Sequence, residues 1–502
     1  MNLADILDKH AIKRPNHAAI EDGDHDVSYA ELQFRVRAAA ANLRHAGILP
    51  GDVVAVMLPD STNHIVTLYA LARLGAVNFA IDELLPDRER ETSADGLAIK
   101  ALISRPEATP LAGVNFLNVR EMCRLDTDAP PLDADSEAEF DGERTLMIVK
   151  SSGTTGTPKQ IPIKHVHIGA RTYLNAKYTG LNASDRYLSV VRLVFFSGSR
   201  RVFTMLHLGA TVVFNKAPSS EQLLADLADK NISCTHLMPV HLHPLVEGAA
   251  GETPMMPNVR ITVASSRLTP EQRSLARRRL TPHIIETYGT NEAGLLAVAL
   301  PEGQDAYPDS VGQLIEEKKA EVVDDENRPV APGQVGKIRF QGHHIAASYL
   351  NNLEANARAF RQGWFYPGDL AAINEAGYVF LKGRADDVIN NEGAKFYPIE
   401  LENVLLSHPE VIEAAVLGWP HKSQGEVAVA FVARRSESLD DEAIIAYCRE
   451  RIAGQRLPHI ITYLPELPRN PMGKVLKGPL RAQLIEDMKS RMPDEVERSG
   501  ET

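Results

Sequence analysis

The stretch "DVVAVMLPDSTNHIVTLYALARLGAVNFAI", residues 52–81, decides the class of fold. Its two ends are largely apolar runs that have the length and composition of buried strands. Between these runs, from Asn63 to Gly75, apolar residues recur at helical spacings, and the glycine ends the pattern. A strand, a helix and a second strand in this order predict a parallel sheet that carries helices on its faces.

Further apolar runs continue this pattern through the first half of the chain. We predict strands at 100–104, 210–215 and 260–266. From about Val335 the sequence pattern changes. Short apolar runs such as "VGKIRFQG" and "GYVFLKG" are bounded by glycines, which predicts short strands and a small β-barrel. Residues 1–385 are therefore expected to form a large N-terminal domain of βαβ subdomains with this barrel attached.

The last part of the chain predicts a separate, smaller α+β domain. It begins near Asp386, within the charged segment after Gly383, and covers residues 386–502. Its predicted elements are a helix from Pro398, strands at 413–418 and 426–434, and a helix near 440–453. The sequence as a whole predicts an α/β protein of two domains.

The charge balance and the cysteines limit the partners and the compartment. The 502 residues include 66 acidic and 54 basic side chains, a net charge of −12, which argues against a nucleic acid as the main partner. Cys123, Cys234 and Cys448 are far apart and form no paired motif, which fits a reducing cytoplasm. The first residues predict a short helix rather than a signal peptide, and no stretch approaches the roughly 20 apolar residues of a membrane span. We expect a cytoplasmic protein without a membrane span, either a monomer or a homodimer.

A loop with the composition of a phosphate cradle lies in "TLMIVKSSGTTGTPKQIPI", residues 145–163. Gly153 and Gly156 permit tight turns and a close approach to an anion. Hydroxyl and ammonium donors accompany them, namely Ser151, Ser152, Thr154, Thr155 and Lys159. The spacing differs from that of a Walker loop. By itself the segment is either a polar loop between strands or a phosphate-binding loop.

Four later stretches combine residues of unusual chemistry. They are "IETYGTNEAG" at 285–294, "GWFYPGDLAAINEAGYVFLKGRADD" at 363–387, "NNEGAKFYPIELE" at 390–402 and "LPRNPMGKVLKGPLR" at 467–481. Each of them alone has an ordinary structural interpretation. Together with the loop, and in this order, they resemble the adenylate-forming superfamily of acyl- and aryl-CoA synthetases, adenylation domains of non-ribosomal peptide synthetases, and luciferases. The resemblance covers nearly the whole chain.

The resemblance implies a reaction in two steps. A carboxylate attacks the α-phosphate of ATP to give an acyl-adenylate and pyrophosphate, and a thiol of CoA or of phosphopantetheine then displaces AMP. It also implies Mg²⁺ as a cofactor and a C-terminal domain that rotates about Asp386 between the steps. Both reactants of the first step are anions, so the site must supply positive charge and orientation.

The resemblance also assigns roles to individual residues of the nucleotide site. The β- and γ-phosphates would be held by Ser151, Ser152, Gly153, Thr154, Thr155, Gly156 and Lys159. Tyr288, followed by Gly289, would stack on adenine, and Thr290 would bind the α-phosphate. Glu292 would ligate Mg²⁺, which prefers carboxylate and phosphate oxygens.

The remaining assignments lie near the C-terminus. Asp369 would accept the ribose hydroxyls, and Arg384 would reinforce the ribose or phosphate contacts. Lys474 would bridge the substrate carboxylate and the α-phosphate, and so joins Thr290 and Glu292 as a candidate catalytic residue. Gly393 would border the path of the pantetheine thiol, where a Cβ would narrow the tunnel.

The acid pocket departs from the common pattern of the superfamily. Phe195 stands where many relatives have a histidine that gates the acyl pocket, and an aromatic residue there resembles benzoate and anthranilate CoA ligases. Alternatively, Phe195 and Phe196 are simply core residues. Ser265 and Ser266 stand where relatives usually have glycine or alanine, and they predict a compact or polar-tolerant pocket rather than a long acyl tunnel. Gly289 is the remaining predicted residue of this pocket.

Several basic residues remain open to two interpretations. Arg200, Arg201 and His236 lie either near this pocket or in solvated or internally satisfied positions. The histidine pairs His165/His167 and His241/His243 resemble metal ligands, but no carboxylate or cysteine pattern accompanies them, which favours surface or packing roles.

These observations favour an ATP-dependent acid–CoA ligase that acts on an aryl or short carboxylic acid. Two other enzymes use much of the same chemistry: a stand-alone adenylation enzyme that loads the phosphopantetheine of an acyl carrier protein, and an amide-forming ligase. A nucleotide-binding relative without catalytic activity is the alternative from another class. The identity of the acid depends on the shape of the pocket, which residues distant in sequence determine together.

Overall fold

The computed structural model describes residues 2–23, 25–126, 142–151, 159–217, 219–249, 251, 253–470 and 473–491. These residues fall into two compact units. The larger unit contains the described residues up to Lys319 together with 341–365, and the smaller unit contains 320–340 and the described residues from Tyr366 onward. The predicted division into domains of residues 1–385 and 386–502 stays a prediction.

The helices of the described residues are, in chain order, α1 (Asp5–Lys13), α2 (Tyr29–His45), α3 (Thr62–Leu74), α4 (Asp87–Ser93), α5 (Val119–Met122), α6 (His165–Thr179), α7 (Phe196–Leu208), α8 (Ser220–Asp229), α9 (Pro239–Gly248), α10 (Pro270–Arg279), α11 (Pro301–Ala306), α12 (Leu353–Ala359), α13 (Pro398–Leu406), α14 (Asp441–Arg449) and α15 (Lys477–Arg491). Two short 3₁₀ helices cover Ala385–Asp387 and Gly454–Arg456. No helix among the described residues is long and apolar enough to cross a membrane.

The strands are β1 (Ala18–Asp22), β2 (His25–Ser28), β3 (Val53–Met57), β4 (Val77–Ala80), β5 (Ile99–Ser104), β6 (Asn115–Asn118), β7 (Thr145–Lys150), β8 (Gln160–Lys164), β9 (Arg186–Ser189), β10 (Thr211–Phe214), β11 (Cys234–Leu237), β12 (Arg260–Val263), β13 (Ile284–Thr290), β14 (Gly294–Ala299), β15 (Gln313–Leu314), β16 (Lys319–Val323), β17 (Gly336–Gln341), β18 (Phe360–Arg361), β19 (Trp364–Phe365), β20 (Asp369–Ile373), β21 (Val379–Arg384), β22 (Ile389–Asn391), β23 (Ala394–Phe396), β24 (Val411–His421), β25 (Gly425–Arg434) and β26 (Pro458–Tyr463).

The βαβ unit predicted from residues 52–81 is confirmed. Strands β3 and β4 pair in parallel, with Val53 opposite Val77, and α3 connects them. The Ser61 hydroxyl caps α3 by accepting a hydrogen bond from the His64 backbone N–H (3.3 Å), and Gly75 ends the helix with φ = +70°. The two strands belong to a sheet in the order β6-β5-β3-β4-β7-β8, in which only β8 is antiparallel to its neighbour.

A second sheet of the larger unit has the order β15-β14-β13-β12-β11-β9-β10-β1-β2. Its central strands, from β13 to β10 and on to β1, are parallel, so their carboxyl ends meet at one edge. Helices α8, α9 and α10 cover one face through an apolar cluster that includes Leu188, Leu237, Ile261, Leu245 and Ala276. The predicted strands 210–215 and 260–266 are β10 and β12, although β12 ends at Val263.

The smaller unit contains the β region predicted from Val335 and the predicted α+β segment. β16 pairs with β17, and β17, β20 and β21 pair antiparallel in that order. A second sheet has the order β23-β22-β25-β24, and β26 adds to β25 in parallel. Helix α13 begins at Pro398 as predicted, and Asp440 caps α14 by accepting a hydrogen bond from the Ala443 N–H (2.8 Å). The α/β fold class is therefore confirmed.

A buried ion pair in the larger unit offers a test of this packing. Arg273 of α10 pairs with Glu286 of β13, and their side chains are only 4% and 9% exposed. We expect Arg273→Met to lower the free energy of unfolding by about 3–5 kcal/mol, because the substitution leaves a buried carboxylate without its partner. Urea unfolding of both proteins at pH 7 measures this difference.

Arg277→Met is the matched control. Arg277 lies on the same helix and pairs with Asp305 at the surface, where the two side chains are 25% and 65% exposed. Such a pair contributes at most about 1 kcal/mol. Equal losses of stability in the two variants would contradict the importance of the buried pair.

Candidate functional site

The "YGTNE" motif begins at the carboxyl end of β13, in the second sheet of the larger unit. Tyr288, Gly289 and Thr290 are the last residues of β13, and the pairing with β14 shifts register between Tyr288 and Gly289. A Cβ on Gly289 would lie 2.3 Å from the carbonyl oxygen of Gly294, so only glycine fits there. The shift brings the backbone of the two strands close together and leaves Tyr288 and Thr290 half-buried at the carboxyl edge of the sheet.

Arg171 of α6 holds the segment that follows β13. Its guanidinium is fully buried and donates to the carbonyls of Asn291 (2.9 Å), Glu292 (2.6 Å) and His344 (3.0 Å). Burial lowers the pKa of Arg171 to about 10, and the charge of Glu292 acts in the opposite direction. The side chain therefore stays cationic at neutral pH and fixes the backbone of the predicted Mg²⁺ ligand. The sequence analysis missed Arg171.

The Glu292 carboxylate contacts a second residue that the sequence analysis missed. Glu292 is 8% exposed, and its Oε1 accepts a hydrogen bond from the Tyr349 hydroxyl (2.9 Å). The Lys159 ammonium lies 5.1 Å from the centroid of the Tyr349 ring. Tyr349 thus brings the predicted Mg²⁺ ligand and the last residue of the predicted phosphate loop to one place.

The base of the predicted phosphate loop is closed by two hydrogen bonds. The Ser151 N–H donates to the Lys159 carbonyl (2.8 Å), and the Lys159 N–H donates to the Ser151 hydroxyl (3.3 Å). The Asn291 amide donates to the Lys150 carbonyl (3.3 Å), which ties this base to the motif after β13. The other predicted loop residues, Ser152, Gly153, Thr154, Thr155 and Gly156, lie outside the described residues.

Lys318 is a third residue that the sequence analysis did not single out. It is 5% exposed, and its ammonium donates to the carbonyl of Ala293 (3.0 Å), directly after Glu292. Burial lowers the pKa of Lys318 to about 7, with Arg171 acting in the same direction and Glu317 against it. A buried lysine with this pKa changes its charge near neutral pH.

The smaller unit brings together three other predicted residues. Asp369 and Arg384 are opposite each other on β20 and β21, and Arg384 Nη1 donates to Asp369 Oδ1 (3.0 Å). The Lys474 side chain lies within electrostatic reach of both. Desolvation and the charge of Arg384 lower the pKa of Lys474, whereas Asp369 and Asp387 oppose this shift. The predicted ribose ligand, its arginine and the predicted catalytic lysine thus share one face of this unit.

A turn presents Lys474 on this unit. The Lys474 N–H donates to the Asn470 side-chain oxygen (3.0 Å), and the Asn470 N–H donates to the Lys474 carbonyl (2.9 Å). Gly473 has φ = +74°, which favours glycine. Asp386 lies in the 3₁₀ helix after β21, and its role as a hinge stays a prediction.

Gly393 lies in the turn between β22 and β23 with φ = +84°. A Cβ built on it would meet no described atom within 4 Å. The backbone conformation therefore favours glycine there, whereas the predicted thiol tunnel stays a prediction.

The predicted acid-pocket residues differ in exposure. Phe195 precedes α7 and is half-buried, with the Arg192 guanidinium 5.9 Å from its ring centroid, whereas Phe196 is a buried residue. The core interpretation therefore applies to Phe196, and the gate role of Phe195 stays a prediction. Ser265 and Ser266 are exposed in the bend after β12, where Ser265 has φ = +79°, a conformation that glycine adopts with less strain.

The histidine pairs make contacts within the fold. His165 Nδ1 accepts from the Leu3 N–H (3.1 Å). His167 and His241 accept from the backbone N–H groups of Lys164 and Met238 (both 3.3 Å), at the first turns of α6 and α9. No group of three or more His, Cys, Asp or Glu in the described ranges is arranged to hold a metal ion. Mg²⁺ bound through nucleotide phosphates needs only one or two protein carboxylates, and the buried Glu292 carboxylate fits that requirement.

Comparison with known sequences defines the class of protein. The profile of the AMP-binding enzyme family matches residues 7–350, and that of the AMP-binding enzyme C-terminal domain matches residues 400–474. The chain therefore belongs to the AMP-binding enzyme family, which confirms the resemblance seen in its motifs.

Individual relatives match nearly their whole length. The indoleacetate–CoA ligase of Aromatoleum aromaticum is 28% identical over 97% of this chain and 98% of its own. The 2-succinylbenzoate–CoA ligase of Geobacillus kaustophilus is 29% identical over 95% and 96%. Among solved structures, o-succinylbenzoate CoA synthetase from Bacillus subtilis, in complex with the acyl-adenylate intermediate OSB-AMP, has a TM-score of 0.86 and 24% identity over 95% of this chain and 97% of its own. At this level of identity, the structural similarity shows that the two chains share a fold.

The hydrogen bond between Tyr349 and Glu292 provides a test of the metal assignment. We expect Tyr349→Phe to weaken the binding of ATP in the presence of Mg²⁺ by about 10-fold or more, because a hydrogen bond to a charged group contributes about 1.5–3 kcal/mol. Calorimetric titration with ATP, once with Mg²⁺ and once with EDTA, measures this effect.

Tyr366→Phe is the control, because Tyr366 accepts a hydrogen bond from Arg339 (2.9 Å) and is not a predicted nucleotide ligand. Its ATP affinity with Mg²⁺ should equal that of the native protein. If Tyr349→Phe lowered the affinity equally in EDTA, the residue would act on the nucleotide rather than through the metal ligand.

The low pKa of Lys318 predicts a dependence of stability on pH. In the unfolded chain a lysine has a pKa of about 10.4, so between roughly pH 7 and 10 the unfolded chain binds more protons than the folded one. Lys318 therefore favours folding increasingly as the pH rises through this window. We expect the free energy of unfolding of the native protein to rise relative to that of Lys318→Met between these pH values, as measured by urea unfolding.

Lys319→Met, at the exposed neighbouring position, is the control for the loss of a lysine side chain. A constant difference between the native protein and Lys318→Met over this range would mean that Lys318 does not titrate in this window.

Proposed function

We propose that the protein is an ATP-dependent acid–CoA ligase that forms an acyl-adenylate and transfers the acyl group to the thiol of CoA. The observation that carries this proposal is the buried Glu292 carboxylate, which Tyr349 and Arg171 hold beside the base of the phosphate loop in a member of the AMP-binding enzyme family. Two full-length relatives that are CoA ligases for acids with an aromatic ring support the choice of reaction.

In the first step a carboxylate oxygen of the acid forms a bond to the α-phosphorus of ATP. The bond from that phosphorus to the bridging oxygen breaks, and pyrophosphate leaves with the electron pair. Thr290 binds the α-phosphate, and Lys159 binds the leaving phosphates together with Ser151 and the loop between them. Bound through Glu292, Mg²⁺ would neutralise part of the phosphate charge. Tyr288 and Asp369 position the adenine and the ribose.

Lys474 contributes positive charge between the two anions of the first step. Its ammonium attracts both the acid carboxylate and the α-phosphate, which would otherwise repel each other. Its lowered pKa has a consequence for pH: as the pH rises, Lys474 loses its proton earlier than an ordinary lysine would, so the rate of the first step falls earlier on the alkaline side.

In the second step the thiol of CoA loses its proton to water, and its sulfur attacks the acyl carbon of the adenylate. The bond from that carbon to the phosphate oxygen breaks, and AMP leaves with the electron pair. We place the path of the thiol beside Gly393. Between the two steps the C-terminal domain rotates at Asp386, which moves Lys474 out of the site and brings this path to it. A carrier-protein phosphopantetheine or an amine as acceptor is the alternative outcome of the assays below.

The proposed acid is aryl or compact. The half-buried Phe195 at the start of α7 and the serines Ser265 and Ser266 after β12 support this choice, because they add bulk where a long acyl chain would have to pass. A cytoplasmic location is proposed from the free Cys123, Cys234 and Cys448, since thiols persist in a reducing compartment.

Pyrophosphate release from ATP over a panel of aryl acids, short-chain acids and amino acids, with and without CoA, tests the proposed function. We expect release with an aryl or short acid and formation of its CoA thioester. Release with an acid but no thioester in the presence of CoA would point to a carrier protein or an amine as acceptor. No acid-dependent release across the whole panel would refute the proposal.

Lys474→Ala tests the role of the lysine in the first step. We expect kcat for adenylate formation to fall by about 100- to 1000-fold, which is the usual loss when one preorganised donor to the transition state is removed. Formation of the thioester from chemically prepared acyl-adenylate should continue at the native rate. Rapid-quench measurement of the two half-reactions separates them.

Lys337→Ala is the control, because Lys337 pairs with Asp325 on the surface of the same unit (2.8 Å). Both half-reactions should keep their native rates in this variant. An equal loss of both half-reactions in Lys474→Ala would contradict the assignment.

A further inference from the structure

Three strands of the second sheet of the larger unit, β9, β11 and β12, carry polar side chains on the face opposite the apolar cluster. Tyr187 and Ser189 are two residues apart on β9, so their side chains point to the same side of the sheet. Cys234 of β11 is the partner of Tyr187, and His236 of β11 is the partner of Thr262 of β12. All five side chains therefore point to that side. Each of the five is at most 4% exposed. The polar face therefore consists of Tyr187, Ser189, Cys234, His236 and Thr262, shielded from solvent.

Helix α7 brings two adjacent arginines to this polar face. Arg201 is 2% exposed, and its Nε and Nη1 have no hydrogen-bond partner among the described residues. Three further buried atoms have no hydrogen-bond partner among the described residues, namely Nη1 of Arg200 and the hydroxyl oxygens of Tyr187 and Ser189. Leaving buried donors unsatisfied costs free energy, so this arrangement favours an acceptor in addition to those that the described residues supply.

The positive charge of the two arginines is not compensated by the neighbouring groups. The groups that favour the charged form of Arg201 are Tyr187 and Cys234. Burial keeps both neutral, because it raises the pKa of Cys234 to about 12 and that of Tyr187 well above its ordinary value. Arg200 has two neighbours of like charge, Arg201 and Arg171, and the Tyr187 hydroxyl as the group that acts in the opposite direction. No ion pair within the described ranges joins either guanidinium to a carboxylate.

The elements that carry the arginines and the polar face also lead to the residues of the proposed acid pocket. Helix α7 begins directly after Phe195, and Ser265 follows β12, which carries part of the polar face. The carboxyl ends of β9, β11 and β12 lie at the same edge as that of β13, which ends at Thr290. Arg200 is also within electrostatic reach of Arg171, which binds the carbonyl of Glu292.

We propose that Arg200 and Arg201, together with the hydroxyls of Tyr187 and Ser189, bind a second carboxylate of the substrate, so that the protein activates dicarboxylic acids. A carboxylate offers only acceptors, and its two oxygens match the parallel donors of a guanidinium. Its charge would also relieve the repulsion between the two arginines. This inference rests on the proposed function, because it specifies the acid for the same site.

Pairs of acids that differ by one carboxylate test the inference. Suitable pairs are isophthalate and benzoate, glutarate and butyrate, and 2-succinylbenzoate and 3-benzoylpropionate. We expect the native protein to have a kcat/KM for the dicarboxylic acid that is about 30-fold or more higher in at least one pair, since a buried charge pair contributes that much or more. Arg201→Met and Arg200→Met should each abolish this ratio, whereas Arg201→Lys should retain part of it.

Thermal unfolding without ATP supplies a readout that is independent of catalysis. We expect Arg201→Met to raise the Tm of the free protein, because it replaces an unpartnered buried charge by an apolar side chain of similar length. The preferred dicarboxylic acid should raise the Tm of the native protein and leave that of Arg201→Met unchanged. Arg278→Met, at an exposed position of α10, should match the native protein in both measurements.

Two results would overturn the inference. One is a native protein that prefers the monocarboxylic acid in every pair and gains no thermal stability from any dicarboxylic acid. The other is a loss of Tm in Arg201→Met and in Arg200→Met, which would mean that the arginines support the fold. If monocarboxylic acids are activated and the dicarboxylic acids are not, the inference fails while the proposed function stands. If no acid releases pyrophosphate but a dicarboxylic acid raises the Tm, the subsite stands and the proposed function fails.

Discussion

The candidate nucleotide site of the larger unit depends on one buried cation, the guanidinium of Arg171. The carbonyls of Asn291, Glu292 and His344 lie where the chain has left its strands, so the sheet offers them no donors. A single guanidinium has five donors in a fixed plane and can satisfy all three at once. The direction of the Glu292 side chain therefore follows from a residue of helix α6 that is not itself a nucleotide ligand in the proposed mechanism.

Much of the fold could be predicted because its signals are local. The unit at 52–81 carries its own start and stop, since Ser61 caps the helix and Gly75 ends it. The predicted strand 260–266 is too long because the chain turns at Ser265, which takes a left-handed conformation that the sequence of small polar residues does not reveal. The order of the strands, and the parallel addition of β26 to β25, depend on contacts between distant segments and leave no local pattern.

The candidate site was predictable where its residues form a contiguous motif. Tyr288, Thr290 and Glu292 stand within five positions, and Asp369 and Arg384 flank one hairpin, so the family pattern identifies them. Arg171, Lys318 and Tyr349 act through burial. A charged residue such as Arg171 or Lys318 usually belongs to the solvated surface, and the packed structure shows that both of them and Tyr349 are buried. Arg171 shares the buried side of α6 with Ile168 and Leu174, a spacing that could have marked it.

The unpartnered arginines of α7 have a consequence for how this chain would change over evolutionary time. An uncompensated charge in the interior lowers the stability of the empty protein, so either arginine could be exchanged for an apolar residue with a gain in stability. Only the benefit of the bound ligand opposes that exchange. In a descendant whose substrate lacks a second carboxylate, mutation would therefore replace these two arginines well before the residues that bind the nucleotide.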